Sequence, residues 1–500
     1  MTDSVARRFH DHTAHTPASV RTSGHMLDWD IKPFPFKVYP DVPAMPLPRD
    51  VEPVAPDTLA VLGGAAAGEG ALTLERLAAV LYYTAGVTRQ KTYPGGGDVL
   101  FRAAASTGAL YQTEVYVAAG DVSGLPPGLY HFCPGDFTLR RLRAGDVRAA
   151  LAAAAADPGV RTRAATLVLS AIYWRNTWKY QARGYRHLFW DSGTMLANLL
   201  AVGDALALRP RLITGFVDAD VNALLGLDTM HEAALELVMI GANGDAGAGT
   251  GAAPAREPVP SNVTVPLSSS EVDYPALREI HQASMLGTAD EVVRWRPGSV
   301  QRPDDPRGSV IRLPAPRATA GRGLGETIQH RGSSRRFGRA ALALEELATA
   351  LAAAARAVDV DVDWRDLVDV YLIVNAVDGV PSGAYRYWPD EHGLELLAAG
   401  DFRNDSGYLC LEQGLGADAA AVLYFLSPLD AVLAAFGDRG YRLANLAAGL
   451  AGGRAYLAAY AQRFGASGLT FYDDLVVNFF RARARDAIFV TALGRAAVPS

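Results

Sequence analysis

The chain has 500 residues, of which half are hydrophobic and a fifth are charged, and its formal net charge is -6. This composition is typical of globular proteins, and the length favours two or more domains over one. The slightly acidic balance gives no indication of a nucleic-acid partner. No run reaches the roughly 18 apolar residues of a membrane helix, and the N-terminus lacks an apolar signal region. We therefore expect a soluble, cytoplasmic protein with no membrane partner.

Residue types that form disulfides or bind metals are sparse. Cys133 and Cys410 are the two cysteines, and they lack the spacing of a zinc site and allow at most one bridge. We expect two buried free thiols in a reducing compartment. His10, His12 and His15 lie close together in the sequence. This grouping is compatible with a metal site or with an exposed polar tail. The polar tail is favoured, so we predict no metal.

The composition divides the chain into an arm, two domains and a linker. Residues 1–56 form the N-terminal arm, and its segment 33–48 is rich in proline, which favours an extended arm on the surface over a helix. Residues 57–243 form a first domain. A Gly/Ala/Pro/Ser-rich linker follows over 244–326, and 327–500 form a second domain.

The apolar periodicity of the first domain predicts helices and strands in alternation. Helices are expected over 72–81, 147–157, 184–206 and 221–227, and strands over 114–118, 129–132, 166–172 and 235–240. A loop containing Gly95, Gly96 and Gly97 is expected after the first helix, and the linker should contain a short helix near 274–284.

The second domain repeats the first. PPGLYHFCPGDFTLRRLRAGD at 126–146 matches PSGAYRYWPDEHGLELLAAGD at 381–401, 255 positions later, and GYRHLFWDSG at 184–193 matches GYRLANLAAG, 256 positions later. Upstream, LTLERLAAVL at 72–81 matches LALEELATAL at 342–351 with a shift of 270. The first copy therefore has about 15 extra residues after its first helix. Such agreement indicates a tandem duplication that folds as a fused pseudo-dimer.

Two short motifs resemble parts of the nitroreductase-like flavin family. Arg331, Ser333 and Arg335 match its phosphate-binding pattern Arg-x-Ser-x-Arg/Lys, and in an extended segment they can all face one anion. A solvated basic turn is the alternative. RAAASTGALY at 102–111 is similar to the family's flavin loop, where small residues permit close approach to a planar ring. A plain turn is the alternative. The resemblance implies cofactor contacts from Ser106, Thr107, Gly108, Ala109 and Leu110.

A third match narrows the resemblance to the SagB/McbC-type dehydrogenases. Lys179 and Tyr180 resemble the Lys-Tyr pair proposed as catalytic in azole-forming members, and the helix after them is similar to the one in the family. The resemblance implies an α+β fold of two tandem nitroreductase-like domains. Each would be a mostly antiparallel sheet packed with helices, and the two would form a pseudo-dimer.

The resemblance also implies one FMN per chain. In family homodimers the flavin lies at the dimer interface, with the phosphate motif from one subunit and the loop largely from the other. Here only the second copy has the phosphate motif, since residues 60–69 of the first contain no cation, and only the first copy has the loop. Lys179 and Tyr180 align with Ala435 and Phe436, so the second copy also lacks that pair. We expect one composite site and a dead mirror-image site.

Two further segments of the second copy are candidates for the cofactor site. Ser467, Gly468 and Leu469 resemble the loop whose backbone N–H approaches the flavin N5, with a helix end followed by a strand as the alternative. Arg483 is the middle one of three alternating arginines, in the region where the family has a second phosphate cation. A solvated face is the alternative for this arginine.

Lys179 and Tyr180 are the candidate proton-transfer groups. Desaturation with a flavin needs a base for one proton while hydride goes to N5. Burial beside Arg183 and Arg186 is expected to lower both pKa values, since like charge disfavours the ammonium and opposite charge favours the phenolate. One of the two would be the base and the other would orient it. The alternative is that Lys179 extends along the surface and Tyr180 packs at a helix start.

Four positions depart from the family pattern and leave the substrate open. Ala105 and Gln112 stand where the loop usually has proline, and Thr194 and Ala197 where histidine and glutamine are common. The leading function is an FMN-dependent dehydrogenase of an azoline-like or related C–N or C–C bond, in a small molecule or a modified peptide. The alternatives are a nicotinamide-driven nitro- or quinone-type reductase and a flavin-free scaffold of a peptide-modification complex. The oligomer would be a monomeric pseudo-dimer or a higher homo-oligomer.

Overall fold

The computed structural model describes residues 4–64, 68–93, 97–243, 263–301, 306 and 308–497. They form two antiparallel sheets of seven strands, one in each half of the chain, and a separate two-stranded hairpin. The predicted α+β fold of two tandem units that form a pseudo-dimer is confirmed. One hydrophobic cluster contains buried residues of both halves, so the two units share a core. No helix of the described residues is long and apolar enough to cross a membrane.

The first half follows the predicted alternation, with additions. Its strands are β1 (Ala44–Pro46), β2 (Val87–Tyr93), β3 (Gly97–Arg102), β4 (Thr113–Ala119), β5 (Gly128–Cys133), β6 (Thr138–Ala144), β7 (Arg163–Ile172), β8 (Arg211–Ile213) and β9 (Glu232–Asn243). Its helices are α1 (Val5–His12), α2 (Pro17–Thr22), α3 (Thr58–Leu62), α4 (Leu74–Ala85), α5 (Arg148–Ala154), α6 (Gly159–Thr162), α7 (Tyr173–Tyr180), α8 (Gly184–Ala205) and α9 (Asp218–Leu225).

The second half has the corresponding elements. Its strands are β10 (Val310–Arg312), β11 (Asp369–Val374), β12 (Gly383–Trp388), β13 (Gly393–Ala399), β14 (Ala421–Ser427), β15 (Gly465–Gly468) and β16 (Asp486–Gly494). Its helices are α10 (Pro275–Ala283), α11 (Ala289–Trp295), α12 (Leu324–His330), α13 (Leu344–Ala355), α14 (Arg403–Leu409), α15 (Gly414–Asp418), α16 (Leu429–Phe436), α17 (Arg439–Ala461) and α18 (Asp473–Phe480).

The two sheets have the same topology. The first runs β1-β6-β5-β4-β7-β9-β8 and the second β10-β13-β12-β11-β14-β16-β15. Each strand of one order has its repeat partner at the same place in the other. The central strands β4 and β11 are buried along their whole length, which explains why most of their residues are apolar. The repeat found in the sequence is therefore a repeat of the fold.

The extra segment of the first copy is the β2–β3 hairpin. It follows α4, where the sequence predicted only a loop around three glycines, of which Gly95 and Gly96 lie outside the described residues. β2 and β3 pair in register from Tyr93 opposite Gly97 to Val87 opposite Arg102. After the equivalent helix α13, the described second copy passes to β11 without a hairpin.

The long helices α8 and α17 cross at two glycines that are repeat partners. A Cβ placed on Gly193 would lie 2.5 Å from the Leu450 nitrogen and 2.6 Å from the Leu446 oxygen. A Cβ placed on Gly449 would collide with the backbone of Trp190. Because no side chain separates them, the two backbones meet directly, at a distance that only glycine permits.

Replacing Gly193 with alanine should therefore destabilise the whole protein. The added methyl group must push backbone away from backbone, which we expect to cost about 1–3 kcal/mol of the free energy of unfolding. Thermal and denaturant unfolding measure the loss. The matched control is Gly414→Ala at the start of α15, where a Cβ meets nothing within 4 Å. Equal stability of the two variants would contradict the close crossing.

A buried cluster joins the start of α8 to the second half. Arg186 and Arg183 form ion pairs with Asp473 at 2.6 and 3.0 Å. Arg186 also donates to the carbonyl of His10 at 2.5 Å and to the hydroxyl of Thr13 at 2.9 Å. All five residues are buried. The charges are tolerated because each has an opposite charge and further hydrogen-bond partners.

The mirror-image cluster joins the start of α17 to the first half. Arg439 and Arg442 form ion pairs with Asp218 at 2.6 and 2.7 Å. Arg442 donates to the His281 carbonyl at 3.0 Å and to the Ser284 hydroxyl at 2.7 Å. Each copy therefore places two arginines on an aspartate of the other, and this exchange fixes how the two units are oriented.

These clusters show that the repeat includes α1 of the arm and α10 of the linker. His281 and Ser284 have the same roles as His10 and Thr13, which come 271 positions earlier. The expectation of an extended arm is wrong for α1 and α2. It was drawn from the prolines at 33–48 and overlooked the apolar face formed by residues such as Phe9, which is buried.

The remaining expectations concern histidines and thiols. His10 is buried at 3% exposure, so the prediction of an exposed polar tail is wrong for this residue. In the described part of the chain, no group of three or more histidine, cysteine and acidic side chains could hold a metal ion. Cys133 and Cys410 are free and buried, as predicted.

Candidate functional site

The loop between β3 and β4 carries the residues predicted to meet the flavin ring. A 3-10 turn, Thr107–Ala109, lies within it, and Gly108, Ala109 and Tyr111 have positive φ angles of 65°, 55° and 50°. Two of the three are not glycine, so this backbone is strained and must be held by its surroundings. Part of the support comes from Arg102, whose backbone N–H donates to the Tyr111 hydroxyl at 3.1 Å.

The carboxylate of Asp191, on α8, holds the loop in place. It accepts hydrogen bonds from the Ser106 hydroxyl at 2.6 Å, from the Thr107 backbone N–H at 2.8 Å and from the Thr107 hydroxyl at 2.7 Å. The Gln112 amide donates to the same carboxylate at 2.7 Å. Asp191 is 5% exposed and pairs with no cation of the described residues. Burial therefore raises the pKa of Asp191 to about 6, against the hydrogen bonds, which lower it.

The positions that depart from the family pattern belong to this support. Gln112 binds Asp191, and Thr194 donates its hydroxyl to the Ala105 carbonyl at 2.7 Å. Ala197 lies at the helix crossing, 2.7 Å from a Cβ placed on Gly453. Two of the departures, Gln112 and Thr194, therefore help to hold the loop, whereas Ala197 packs at the helix crossing.

Asp191 should make stability depend on pH. A carboxyl group whose pKa rises from 3.8 to about 6 on folding stabilises the protein most below pH 3.8, and this contribution is lost as the pH rises through 6. The free energy of unfolding of the wild type, minus that of Asp191→Asn, should fall by about 3 kcal/mol between pH 3.5 and 7. Denaturant unfolding across this range measures it. Asp41→Asn, which removes an exposed carboxylate, is the control, and a flat difference for Asp191→Asn would contradict the assignment.

Lys179 and Tyr180 lie at the end of α7, a helix that the sequence did not predict. Its residues 173–178 are all buried, including the consecutive polar residues Arg175, Asn176 and Thr177, so polar residues do not mark an exposed face here. The arm and the linker cover its outer face: the Trp178 indole donates to the Asp28 carbonyl at 2.8 Å, and the Trp174 indole to the Ser268 hydroxyl at 2.9 Å. A helix of eight residues with a buried polar run is a weak signal in a sequence.

Tyr180 lies against the flavin loop. A Cβ placed on Gly108 would lie 2.9 Å from the Tyr180 hydroxyl oxygen, so glycine is required at this contact. Burial, and then the charge of Asp191, raise the pKa of Tyr180. The expectation that Arg183 and Arg186 lower this pKa is wrong, because both guanidinium groups are turned away to pair with Asp473.

Lys179 is the second member of the pair. It is half-buried, and burial, followed by the like charge of Arg335, lowers its pKa. The direction agrees with the expectation for Lys179, but the neighbouring cation is Arg335 of the phosphate motif rather than Arg183 or Arg186. The first copy's Lys179 and the second copy's motif are thus near each other.

A buried polar chain connects Tyr180 to the loop support. The Tyr180 ring meets the His187 ring edge-on with centroids 4.5 Å apart. Burial lowers the pKa of His187 well below its ordinary value, so the ring is neutral and its Nδ1 donates to the Asn176 side-chain oxygen at 2.9 Å. The Asn176 amide donates in turn to Gln112 at 3.3 Å, and Gln112 binds Asp191. The chain fixes the positions of Tyr180 and the loop relative to each other.

The sequence analysis missed the roles of Asp191, His187 and Asn176, although the repeat carries a signal for them. At the shift of 256 their partners are Ala447, Leu443 and Val432. All three residues of the first copy are buried. A buried polar residue with an apolar repeat partner marks a place where the two copies have diverged in function, and comparing the copies position by position would have found it.

Arg331 of the phosphate motif joins the two copies. It is 8% exposed, and its Nε donates to the Ala103 carbonyl at 2.8 Å while Nη2 donates to the Arg102 carbonyl at 3.1 Å. Both carbonyls belong to the first copy, at the start of the flavin loop, 102–111. The structure therefore brings the phosphate motif of one copy next to the flavin loop of the other.

The remaining motif residues lie beside β15. The Ser334 backbone N–H donates to the Ala466 carbonyl at 2.9 Å. The Tyr456 hydroxyl lies 3.4 Å from the Ser333 hydroxyl and accepts the Gly468 backbone N–H. Sequence analysis did not single out Tyr456, which links the phosphate motif to the predicted N5 loop.

The predicted N5 loop is mostly strand. Ser467 and Gly468 belong to β15, and the Leu469 N–H donates to the Val490 carbonyl at 3.1 Å. Ser467 and Leu469 are buried. Arg335 is exposed and near Lys179, whereas Arg483 is exposed in the turn before β16 and has no contact with the other candidate residues in the described structure.

The mirror-image position is closed by the chain itself. Residues 359–361 lie along the edge of β8: Asp359 accepts from the Leu212 N–H at 2.9 Å, and the Asp361 N–H donates back to Leu212 at 3.2 Å. The Asp361 carboxylate accepts the Thr214 N–H at 2.8 Å. Leu212 is the repeat partner of Ser467. β8 has the same place in the first sheet as β15, the strand beside the phosphate motif, has in the second. The edge of β8 is thus covered by residues 359–361, part of the second-copy segment that replaces the flavin loop.

Trp295 covers the repeat partner of Tyr180. Its indole donates to the Phe436 carbonyl at 2.9 Å, and the two rings have centroids 5.5 Å apart. Ala435 and Phe436 stand here in place of Lys179 and Tyr180. The two ends of the pseudo-dimer are therefore chemically different.

Comparisons with known proteins agree with this architecture. No family model matches the chain. It is 28% identical to a protein assigned as a nitroreductase from Methanocaldococcus jannaschii over 155 residues, 31% of this chain and 74% of that protein. It is 26% identical to the microcin B17-processing protein McbC of Escherichia coli over 142 residues, 27% of this chain and 52% of McbC. The crystal structure of a protein assigned as a nitroreductase from Anabaena variabilis covers 99% of this chain and all of that one, with 28% identity and a TM-score of 0.81.

The fold and the relatives indicate the same class: the chain has a nitroreductase-like fold, and its sequence is similar to nitroreductase-type proteins. More particularly, it is a tandem form, in which two nitroreductase-like units are fused and share one core.

Proposed function

We propose that the protein is an FMN-dependent oxidoreductase of the SagB/McbC type with one FMN per chain. The observation that supports it best is the contact of Arg331 with the Arg102 and Ala103 carbonyls, which joins the phosphate motif of the second copy, 327–500, to the flavin loop of the first, 57–243. The similarity to a nitroreductase and to McbC supports the same class of activity.

The residues fit a flavin phosphate in their chemistry. Arg331, Arg335 and Lys179 form no ion pair with a carboxylate in the described structure, so their charge is available to an anion. Ser333 adds a hydroxyl, and the exposed Gly108 allows the backbone to approach a flat ring. Bound there, FMN would supply a two-electron acceptor for hydride.

Lys179 is the better candidate for the base. Burial and Arg335 lower its pKa, which increases the neutral amine fraction near neutral pH, whereas the raised pKa keeps the Tyr180 phenol protonated. Tyr180, held by His187 and Gly108, would donate a hydrogen bond and orient the substrate. In the oxidation of an azoline-like ring, the substrate loses one hydride and one proton. Lys179 would take the proton, and bound FMN would supply the acceptor for the hydride.

The substrate proposed is an azoline-like or related C–N or C–C bond, in a modified peptide or a small molecule. McbC, by its name a microcin-processing protein, supports the peptide. A nicotinamide-driven reductase is the second candidate, supported by the nitroreductase relative. The two buried free thiols support a cytoplasmic location.

Lys179→Ala should still bind the flavin but lose the dehydrogenase activity. Under anaerobic conditions, a thiazoline-containing peptide should bleach the flavin absorbance of the wild type. In Lys179→Ala we expect the peptide to bleach the flavin at least about 100-fold more slowly, because this variant lacks the base. Lys32→Ala, in the arm, is the matched control and should react like the wild type. The wild-type rate should rise with pH, with a midpoint below the ordinary lysine pKa of 10.5.

Two outcomes would decide against this assignment. Full activity of Lys179→Ala would remove Lys179 as the base. Rapid bleaching by reduced nicotinamide cofactor, with none by thiazoline peptides, would favour the reductase.

A further inference from the structure

Arg89 of the β2–β3 hairpin reaches the phosphate motif. It pairs with Phe101 across the hairpin, and its guanidinium carbon lies 4.8 Å from the centre of that ring. This contact directs the guanidinium towards the second copy. A Cβ placed on Gly332, between Arg331 and Ser333, would lie 3.8 Å from both Nη1 and Nη2 of Arg89.

Arg89 lies close to a second cation, Arg331. Arg89 is one of the groups whose like charge contributes to lowering the pKa of Arg331, after the larger effect of burial. Within the described structure, Arg89 forms no ion pair with a carboxylate. Two guanidinium groups brought together without an acid repel each other, and an anion between them removes that cost.

Arg331 uses three of its five N–H donors on backbone carbonyls. Nε donates to Ala103, Nη2 to Arg102, and Nη1 to Gly332 at 3.4 Å. Arg331 therefore positions the start of the flavin loop and keeps two N–H donors for an anion. A second guanidinium with free donors would complete a charged fork around a phosphate.

At the mirror-image end a guanidinium also reaches the equivalent segment, but it is bound to the backbone. There the guanidinium of Arg356, at the end of α13, donates to the Val61 and Leu62 carbonyls at 2.6 and 3.1 Å, and no hairpin follows in the described residues. Val61 is the repeat partner of Arg331 at the shift of 270. The hairpin with Arg89 is thus present only in the copy that has kept the flavin loop.

We propose that Arg89 is a phosphate-binding residue, whose guanidinium holds the phosphate monoester of FMN over the segment Arg331–Ser333. This rests on the proposed function, since it takes FMN as the ligand, and it assigns the hairpin a role that the family motif does not contain. Arg89 would bind the phosphate together with Arg331, which also positions the loop.

The test compares two flavins that differ only in the phosphate. FMN and riboflavin are titrated into full-length wild type, Arg89→Gln and Lys91→Gln, and affinity is measured by quenching of flavin fluorescence. Lys91→Gln removes the same charge from the same strand two residues away. Arg89 is exposed, so its replacement leaves the core intact, and thermal unfolding checks this. We expect Arg89→Gln to weaken FMN binding about tenfold and to leave riboflavin binding unchanged.

Three results bear on the proposal in different ways. Lys91→Gln should bind FMN within about twofold of the wild type, and Arg89→Lys should recover part of the affinity, because a point charge without the fork remains. Equal weakening of FMN and riboflavin, or no weakening of either, would overturn the role of Arg89 while leaving the flavin site in place. Binding of neither flavin by the wild type would instead overturn the proposed function.

Discussion

The rest of the structure depends on the contact of α8 with α17 at Gly193 and Gly449. A side chain at either position would collide with the backbone of the other helix. Because the two glycines are repeat partners, the same contact is made from both sides, which gives the molecule its pseudo-twofold arrangement. The exchanged pairs of arginines on Asp473 and Asp218 then fix the orientation of the units.

This shared core allows the two copies to diverge without separating. One end of the pseudo-dimer keeps the polar residues Asp191, His187 and Asn176, which support a strained loop beside Tyr180. At the other end their partners are apolar, and residues 359–361 close the corresponding strand edge. Symmetry in the core and asymmetry at the ends follow from one duplication, since only the core contacts must be kept for folding.

Much of the fold could be predicted from the sequence because the repeat is strong where both copies serve the same structural purpose. The strands, the long helix 184–206 and the buried thiols follow from periodicity and the repeat. The sequence did not reveal α7, which is covered on all sides, or α1, whose repeat with α10 is carried by few residues. The upward shift of the Tyr180 pKa was not predictable either. Arg183 and Arg186 are close to Tyr180 in sequence, but they bind Asp473, which is distant in sequence.

The central claim is that the fused pair makes one flavin site rather than the two of a symmetric pair. The most direct measurement is the number of FMN molecules bound per chain. The protein is saturated with FMN and freed of excess, and the released flavin is quantified against protein determined by amino-acid analysis. The account predicts one FMN per chain, retained when Phe436 is replaced with alanine and lost when Arg331 and Arg335 are both replaced with glutamine. Two FMN per chain would contradict it.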